Sequence, residues 1–166
     1  MAPGSELVEF DGVAMRPFTA SLPMALLQAR EATMRIFRPL INAHGLTEQQ
    51  WRVLRALASA GEPLSVGAVA DQTFLLAPSL SRIVANLESR RLIERTTARD
   101  DQRRNDLELT IEGAALVKHV APESEAAYNY IESEFGTNRL RNLLVELDAL
   151  AELALPEHQK NSRTGQ

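Results

Sequence analysis

From Leu22 onward, apolar residues return every three or four positions, the spacing of a helix with one buried face, until the pattern changes after Arg90-Arg91. The first run sets Leu22, Leu26, Ala29, Thr33, Ile36 and Leu40 in register, with Ser21 placed to cap it, Pro39 to kink or end it and His44-Gly45 to stop it. Thr47-Glu48-Gln49-Gln50 is a capping-box sequence, in which Thr47 caps and Gln50 reaches back. The helix it opens, about 48–60, carries Trp51, Leu54 and Leu57 on its apolar side and ends at Gly61-Glu62-Pro63. Ser65 then caps a short helix through Val66, Val69 and Ala70. A turn at Phe74-Leu75-Leu76 leads to Pro78, suited to a first helical position, and to a helix over about 78–90. On that helix Leu80, Val84 and Leu87 group together, while Ser79, Arg82 and Asn86 fall opposite.

The stretch 92–97, a charged turn from Ala98 to Asn105 and the stretch 106–110 read as a two-stranded hairpin. Thr110 caps a further helix, expected to run to about Phe135 before Gly136. A last helix over 139–155 spaces Leu140, Leu143, Leu144, Leu147, Leu150 and Ala154 almost as heptads, a stripe that needs a partner. Residues 1–20 hold Pro3, Gly4, Gly12 and Pro17 without a sustained period and read as a mobile or loosely docked arm; 156–166 read as a polar, frayed tail. The expected fold is mainly α with a small β-hairpin wing, in one domain over 21–155. Within it, a winged helix-turn-helix spans about 46–112, and long dimerisation helices span about 21–43 and 111–155.

Composition narrows the class. A chain of 166 residues buries a core without covalent staples, and the absence of cysteine removes thiol redox chemistry, a Cys-based zinc site and a disulfide framework together. The opening MAPGSELVEFDG has neither a basic start nor a signal-length apolar run, and no stretch approaches about 18 uninterrupted apolar residues, so a cytoplasmic protein without membrane insertion is expected. The net charge of −4 argues against nucleic acid only until it is divided. Residues 79–104 hold seven Arg against four acids, residues 105–166 five Lys or Arg against eleven acids, and residues 1–78 sum to −1. Screening over roughly 8–10 Å separates the basic island from the distant acids, so the local field still suits DNA.

Short helices ending in an amphipathic one, followed by an Arg-rich hairpin, is the order of a winged helix-turn-helix. Within it, P-S-L-S-R at 78–82, L-I-E-R at 92–95 and D-Q-R-R at 101–104 followed by L-T and Gly113 resemble the MarR family over about residues 21–155. A narrower resemblance, to repressors of homoprotocatechuate (4-hydroxyphenylacetate) degradation operons, rests on L-L-Q-A-R-E-A-T at 26–33, F-R-P at 37–39 and H-G-L-T-E-Q-Q-W-R-V at 44–53. The resemblance implies a homodimer on a palindromic double-stranded operator, and a small aromatic acid or phenol as effector releasing a repressor from a catabolic operon. A constitutive winged-helix regulator without effector and a winged-helix protein-interaction module are the alternatives.

The DNA candidates are Pro78, Ser79, Ser81, Arg82 and Asn86 at the start and along the polar face of the reading helix, and Arg99, Asp101, Arg103 and Arg104 in the hairpin loop. Arg82 and Ser79 can reach base edges or phosphates, against the alternative of a solvated helix face. Asn86, a turn further on, suits a phosphate contact or plain exposure. Asp101 can fix the Arg103 guanidinium for a narrow minor groove, and the D-x-R…L-T wing motif of the resembled family falls on Asp101, Arg103, Leu109 and Thr110. Arg99 and Arg104 suit phosphates, or balance Asp100 and Asp106 as surface charge.

The effector candidates are Ser21, Arg30 and His44 as polar groups and Phe37 and Trp51 as apolar walls, between the dimer helices and the DNA-reading lobe. Arg30 borders the apolar stripe and must pair with a protein acid, within the chain or across a dimer, or with an incoming carboxylate. Trp51 equally suits core packing, and His44 a helix end. No nucleophile, metal cluster or phosphate loop suggests an enzyme, and no cofactor is expected: His44, His119 and His158 lack ligand spacing and the acids are scattered.

Overall fold

The computed structural model describes residues 7–97 and 105–153, with the side chains of 97 and 105 left out. It divides into two units, one ending at Ala127 and one beginning at Tyr128. In the first unit, β1 (Val8–Phe10) and β2 (Val13–Met15) form a hairpin, and a single 3-10 turn (Phe18–Ala20) leads into α1 (Leu22–Ala43). Then come α2 (Glu48–Ala60), β3 (Leu64–Ser65), α3 (Val66–Thr73), α4 (Ala77–Ser89), β4 (Ile93–Thr97) and β5 (Asn105–Leu109), with α5 (Ile111–Phe135) running on past the boundary.

Most helix ends follow the local chemistry expected of them. Thr47 Oγ1 accepts the Gln50 amide at 3.2 Å and Gln50 Oε1 accepts the Thr47 amide at 2.8 Å, closing the capping box. Ser65 Oγ accepts from Ala68 N at 3.1 Å, and Thr110 Oγ1 from Gly113 N at 3.0 Å. Ser21 does stand at the N-cap of α1, but its hydroxyl does not cap: it donates back to the Phe18 carbonyl at 2.9 Å. Pro39 neither ends the helix nor stops its last turn, since α1 continues to Ala43.

Two further departures have physical causes. Within the arm, where no sustained period showed an element, lies the β1–β2 hairpin, turned by Asp11 and Gly12 at φ 50° and 78°, the left-handed pair of a two-residue hairpin turn. The wing is three-stranded, in the order β3-β5-β4, because Leu64 and Ser65 pair antiparallel with Leu107 and Asp106. In α1, Leu22 and Leu26 are exposed and only Phe37 and Ile41, in the last two turns, are buried, which leaves the apolar surface expected of a dimerisation helix.

The core lies where the α2, α4 and wing faces meet, in Val53, Leu54 and Leu57, Leu80, Val84 and Leu87, Ile93 and Leu107, with Val69 from α3 and Val120 from α5. Burying such side chains stabilises the fold by about 1.5–3 kcal/mol each. The second unit holds the end of α5 and α6 (Thr137–Ala151), which starts two residues earlier than its periodicity suggests, after Gly136 at φ 95°. No residue of α6 is buried, and Leu143, Leu144 and Val145 are exposed along it; Ala154 lies outside the described residues. No helix among the described residues is long and apolar enough to cross a membrane.

Candidate DNA interface and effector-facing residues

The amino half of α4 is an open polar surface. Leu80, Val84 and Leu87 anchor its buried face, so helical geometry turns Ser79, Ser81 and Arg82 to solvent, and all three are exposed, as is Pro78. Ser81 Oγ donates to the Ala77 carbonyl at 3.0 Å, which turns that hydroxyl onto its own helix. Arg82 is exposed and has no ion pair among the described residues. Asn86, though exposed, is occupied: its Oδ1 accepts from Gln50 Nε2 at 2.6 Å, tying α4 to the first turn of α2. In the wing, Arg95 reaches back from β4 to Glu88 of α4 at 2.9 Å. Arg99, Asp101, Arg103 and Arg104 lie outside the described residues.

The residues expected around an effector fall into separate groups. Arg30 pairs with Glu31 at 2.7 Å and with Glu48 of α2, so the alternative of an intramolecular salt bridge is the one seen. Arg38 joins the same network at Glu31 (2.8 Å) and Glu48 (3.4 Å), and Arg52 at Glu48 (2.7 Å). The hydrogen bond from Arg38, aided by the charges of Arg38 and Arg30, holds the exposed Glu31 carboxyl below its ordinary value.

The remaining groups meet α5. His44 is little exposed, its Nε2 lies 3.1 Å from Glu123 Oε1, and its ring stands edge-on to His119 at 5.1 Å. Trp51 is buried, with the Arg55 guanidinium 5.9 Å from its ring centroid, and Arg55 approaches Glu125 at 3.7 Å. Phe37 is also buried. Between Glu123 and Glu125 sits Ser124, 1% exposed, whose hydroxyl has no partner among the described residues. The sequence pattern does not single out Arg55, Glu125, Glu123 or Ser124, and it brings in His119 only as a metal ligand without the needed spacing. Arg55 had one available signal: four residues after Trp51, it shares that residue's helix face. No described contact joins Ser21 or Arg30 to the His44 or Trp51 groups. Among the described residues no group of His, Asp and Glu side chains is arranged to hold a metal ion.

A helix-turn-helix whose second helix presents Ser79 and Arg82, followed directly by the β4–β5 hairpin of a three-stranded wing, defines a winged-helix protein of the DNA-reading kind. The MarR family model matches residues 44–104. The chain is 41% identical over 143 residues to the HTH-type transcriptional regulator FarR of Neisseria gonorrhoeae, covering 86% of this chain and 95% of that protein. It is also 41% identical over 123 residues to the homoprotocatechuate degradative operon repressor of Escherichia coli, covering 74% of this chain and 82% of that one. Among solved structures, NadR in complex with 4-hydroxyphenylacetate aligns with a TM-score of 0.74 at 37% identity, over 86% of this chain and 100% of that chain. The protein belongs to the MarR family and is a transcriptional regulator.

Proposed function

We propose that this protein is a homodimeric, cytoplasmic repressor of an operon for breakdown of aromatic compounds, released from a palindromic operator by a small aromatic acid or phenol, with no catalytic role of its own. The exposed apolar residues of α1, and separately those of α6, are each open to a second copy. The observation that carries the effector reading is the Trp51–Arg55 pair: a buried indole with a guanidinium beside it whose one ion pair among the described residues is with Glu125, an exposed acid at 3.7 Å. An aromatic ring can stack on the first and a carboxylate can displace Glu125 from the second, since Arg binds carboxylates bidentately. Arg55 rather than Arg30 is therefore assigned to the carboxylate, because Arg30 already holds two acids. His44 remains a polar candidate for a phenol and the buried Ser124 hydroxyl is added to it; Ser21, whose hydroxyl donates to the Phe18 carbonyl, and Phe37 are the other residues taken from the sequence. A tenfold loss of DNA affinity on binding requires only about 1.4 kcal/mol of coupling.

The test is titration of 4-hydroxyphenylacetate, dihydroxyphenylacetates and hydroxybenzoates into the parent, Arg55→Ala and Arg30→Ala proteins, with operator release as second readout. Tenfold or greater weakening in Arg55→Ala, and little change in Arg30→Ala, is expected. Binding by no aromatic acid would leave a constitutive regulator, and equal affinity in Arg55→Ala would remove Arg55 from the site.

A further inference from the structure

The turn between α3 and α4 leaves two large apolar side chains in water at the amino end of the helix that carries Ser79 and Arg82. Phe74 is 91% exposed and Leu76 77% exposed, while Thr73 beside them is 1% exposed. Phe74 also takes a φ of 53°, a left-handed conformation that a bulky side chain disfavours. The turn is held in this shape from behind. Arg52 of α2 donates Nη1 to the Thr73 carbonyl at 3.0 Å and Nη2 to Glu48 at 2.7 Å, and the Thr73 hydroxyl donates to the Val69 carbonyl at 2.6 Å. Glu48 is itself gripped by Arg38 and Arg30 of α1. A fixed turn, and not a slack loop, presents the ring.

Position decides what the two residues meet. Leu76 is the N-cap residue of α4 and Phe74 ends α3, so both border the polar reading face, and residues at the amino end of a groove-inserted helix are those that reach base edges. No acid lies between Asp71 and Glu88 to repel phosphate. The group that the major groove offers to an apolar side chain is the thymine 5-methyl. We propose that Phe74 and Leu76 form an apolar reading edge that packs on thymine methyls beside the polar contacts of α4, making operator choice depend on methyl groups as well as on hydrogen bonds. This inference rests on the DNA-binding reading.

Duplexes are selected from a random pool by the full-length protein, and the tightest is resynthesised with deoxyuridine for thymidine in both half-sites, which removes the methyls and keeps the pairing. The parent should lose about fourfold per buried methyl, about 15-fold for two symmetric half-sites, the affinity equivalent of one CH2 each. The Phe74→Asn, Leu76→Ala double variant, in which Asn tolerates the left-handed turn, should bind thymine and uracil duplexes alike. It should keep the parent's melting temperature and salt slope, because neither lost side chain neutralises a phosphate. A parent indifferent to the methyls, or a variant as sensitive to them as the parent, overturns the inference and leaves DNA binding intact. A variant altered in oligomeric state but not in methyl dependence also overturns it, assigning the pair to a protein interface. Enrichment of no duplex at all overturns the inference and the DNA-binding reading together.

Discussion

Replacing Gly113 by Ala should unfold the protein more easily, although it exchanges a poor helix former for the best one. Gly113 lies in the first turn of α5, against the backbone of Leu92 at the entrance to the wing. A Cβ there would stand 2.9 Å from the Leu92 carbonyl carbon and 3.3 Å from its Cα, and nearer still to its oxygen. Carbon atoms rest at about 3.5–4.0 Å, and no rotamer moves a Cβ or a backbone aside, so α5 and Leu92 must part. The bonds at this junction are Thr110 N to the Leu92 carbonyl at 3.2 Å and Thr110 Oγ1 to the Arg91 carbonyl at 2.6 Å. Losing one costs about 1 kcal/mol, and leaving a buried group unpaired about 1–3 kcal/mol, against about 1 kcal/mol recovered in helix propensity. The net loss is about 1–3 kcal/mol, a lowering of the melting temperature by about 2–12 °C for a chain of this size. Gly67→Ala is the control: its Cβ would meet only Ser65 Oγ at 3.9 Å, so the same substitution should be neutral or add up to about 1 kcal/mol. Urea and thermal melts at one fixed protomer concentration decide it, since dimerisation shifts both. A Gly113→Ala protein as stable as the parent would refute the steric argument.

Two further perturbations follow from groups already placed. The folded-state value of Glu31 is lowered, chiefly by the hydrogen bond from Arg38, so the unfolded chain binds that proton more readily. Its contribution is then complete above the ordinary value of 4.5 and is lost as pH falls through the lower folded value; Glu31→Gln should flatten the loss of melting temperature below that pH, and parallel curves would discard the effect. Ser124→Ala removes a buried hydroxyl that has no partner among the described residues, so without effector it should leave stability unchanged or raise it by about 1 kcal/mol; a loss in urea melts would reveal a hydrogen bond made elsewhere.

The helices were legible because their signals are local. A capping box needs only Thr47 and Gln50, and the buried face of α4 needs only Leu80, Val84 and Leu87 at their spacing. The strands that escaped notice are those whose identity depends on something distant or too brief to show a period. Leu64–Ser65 becomes a strand because Leu107 and Asp106 of β5, far along the chain, lie beside it, and two residues carry no alternation. The three-residue strands on either side of Asp11-Gly12 are also too short to show a period, and there the turn dipeptide is the available sign.

The site divides along the same line. A helical wheel gives the angle of Arg30 about α1 but not which residue of α2 stands opposite. That residue is Glu48, in the first turn of the next helix, and it answers the charge that sequence reasoning had left open to a ligand. His44 meets Glu123 across 79 positions and Arg55 meets Glu125 across an unrelated helix, pairs that no local spacing encodes. Phe74 shows the converse. A large apolar residue in a turn reads as an ordinary connector, and only its exposure, its left-handed backbone and the Arg52 brace behind it mark it as presented outward. Local sequence thus locates α4 as the reading helix, whereas deciding which neighbours share its work requires knowing which charges are already answered and which surfaces remain open.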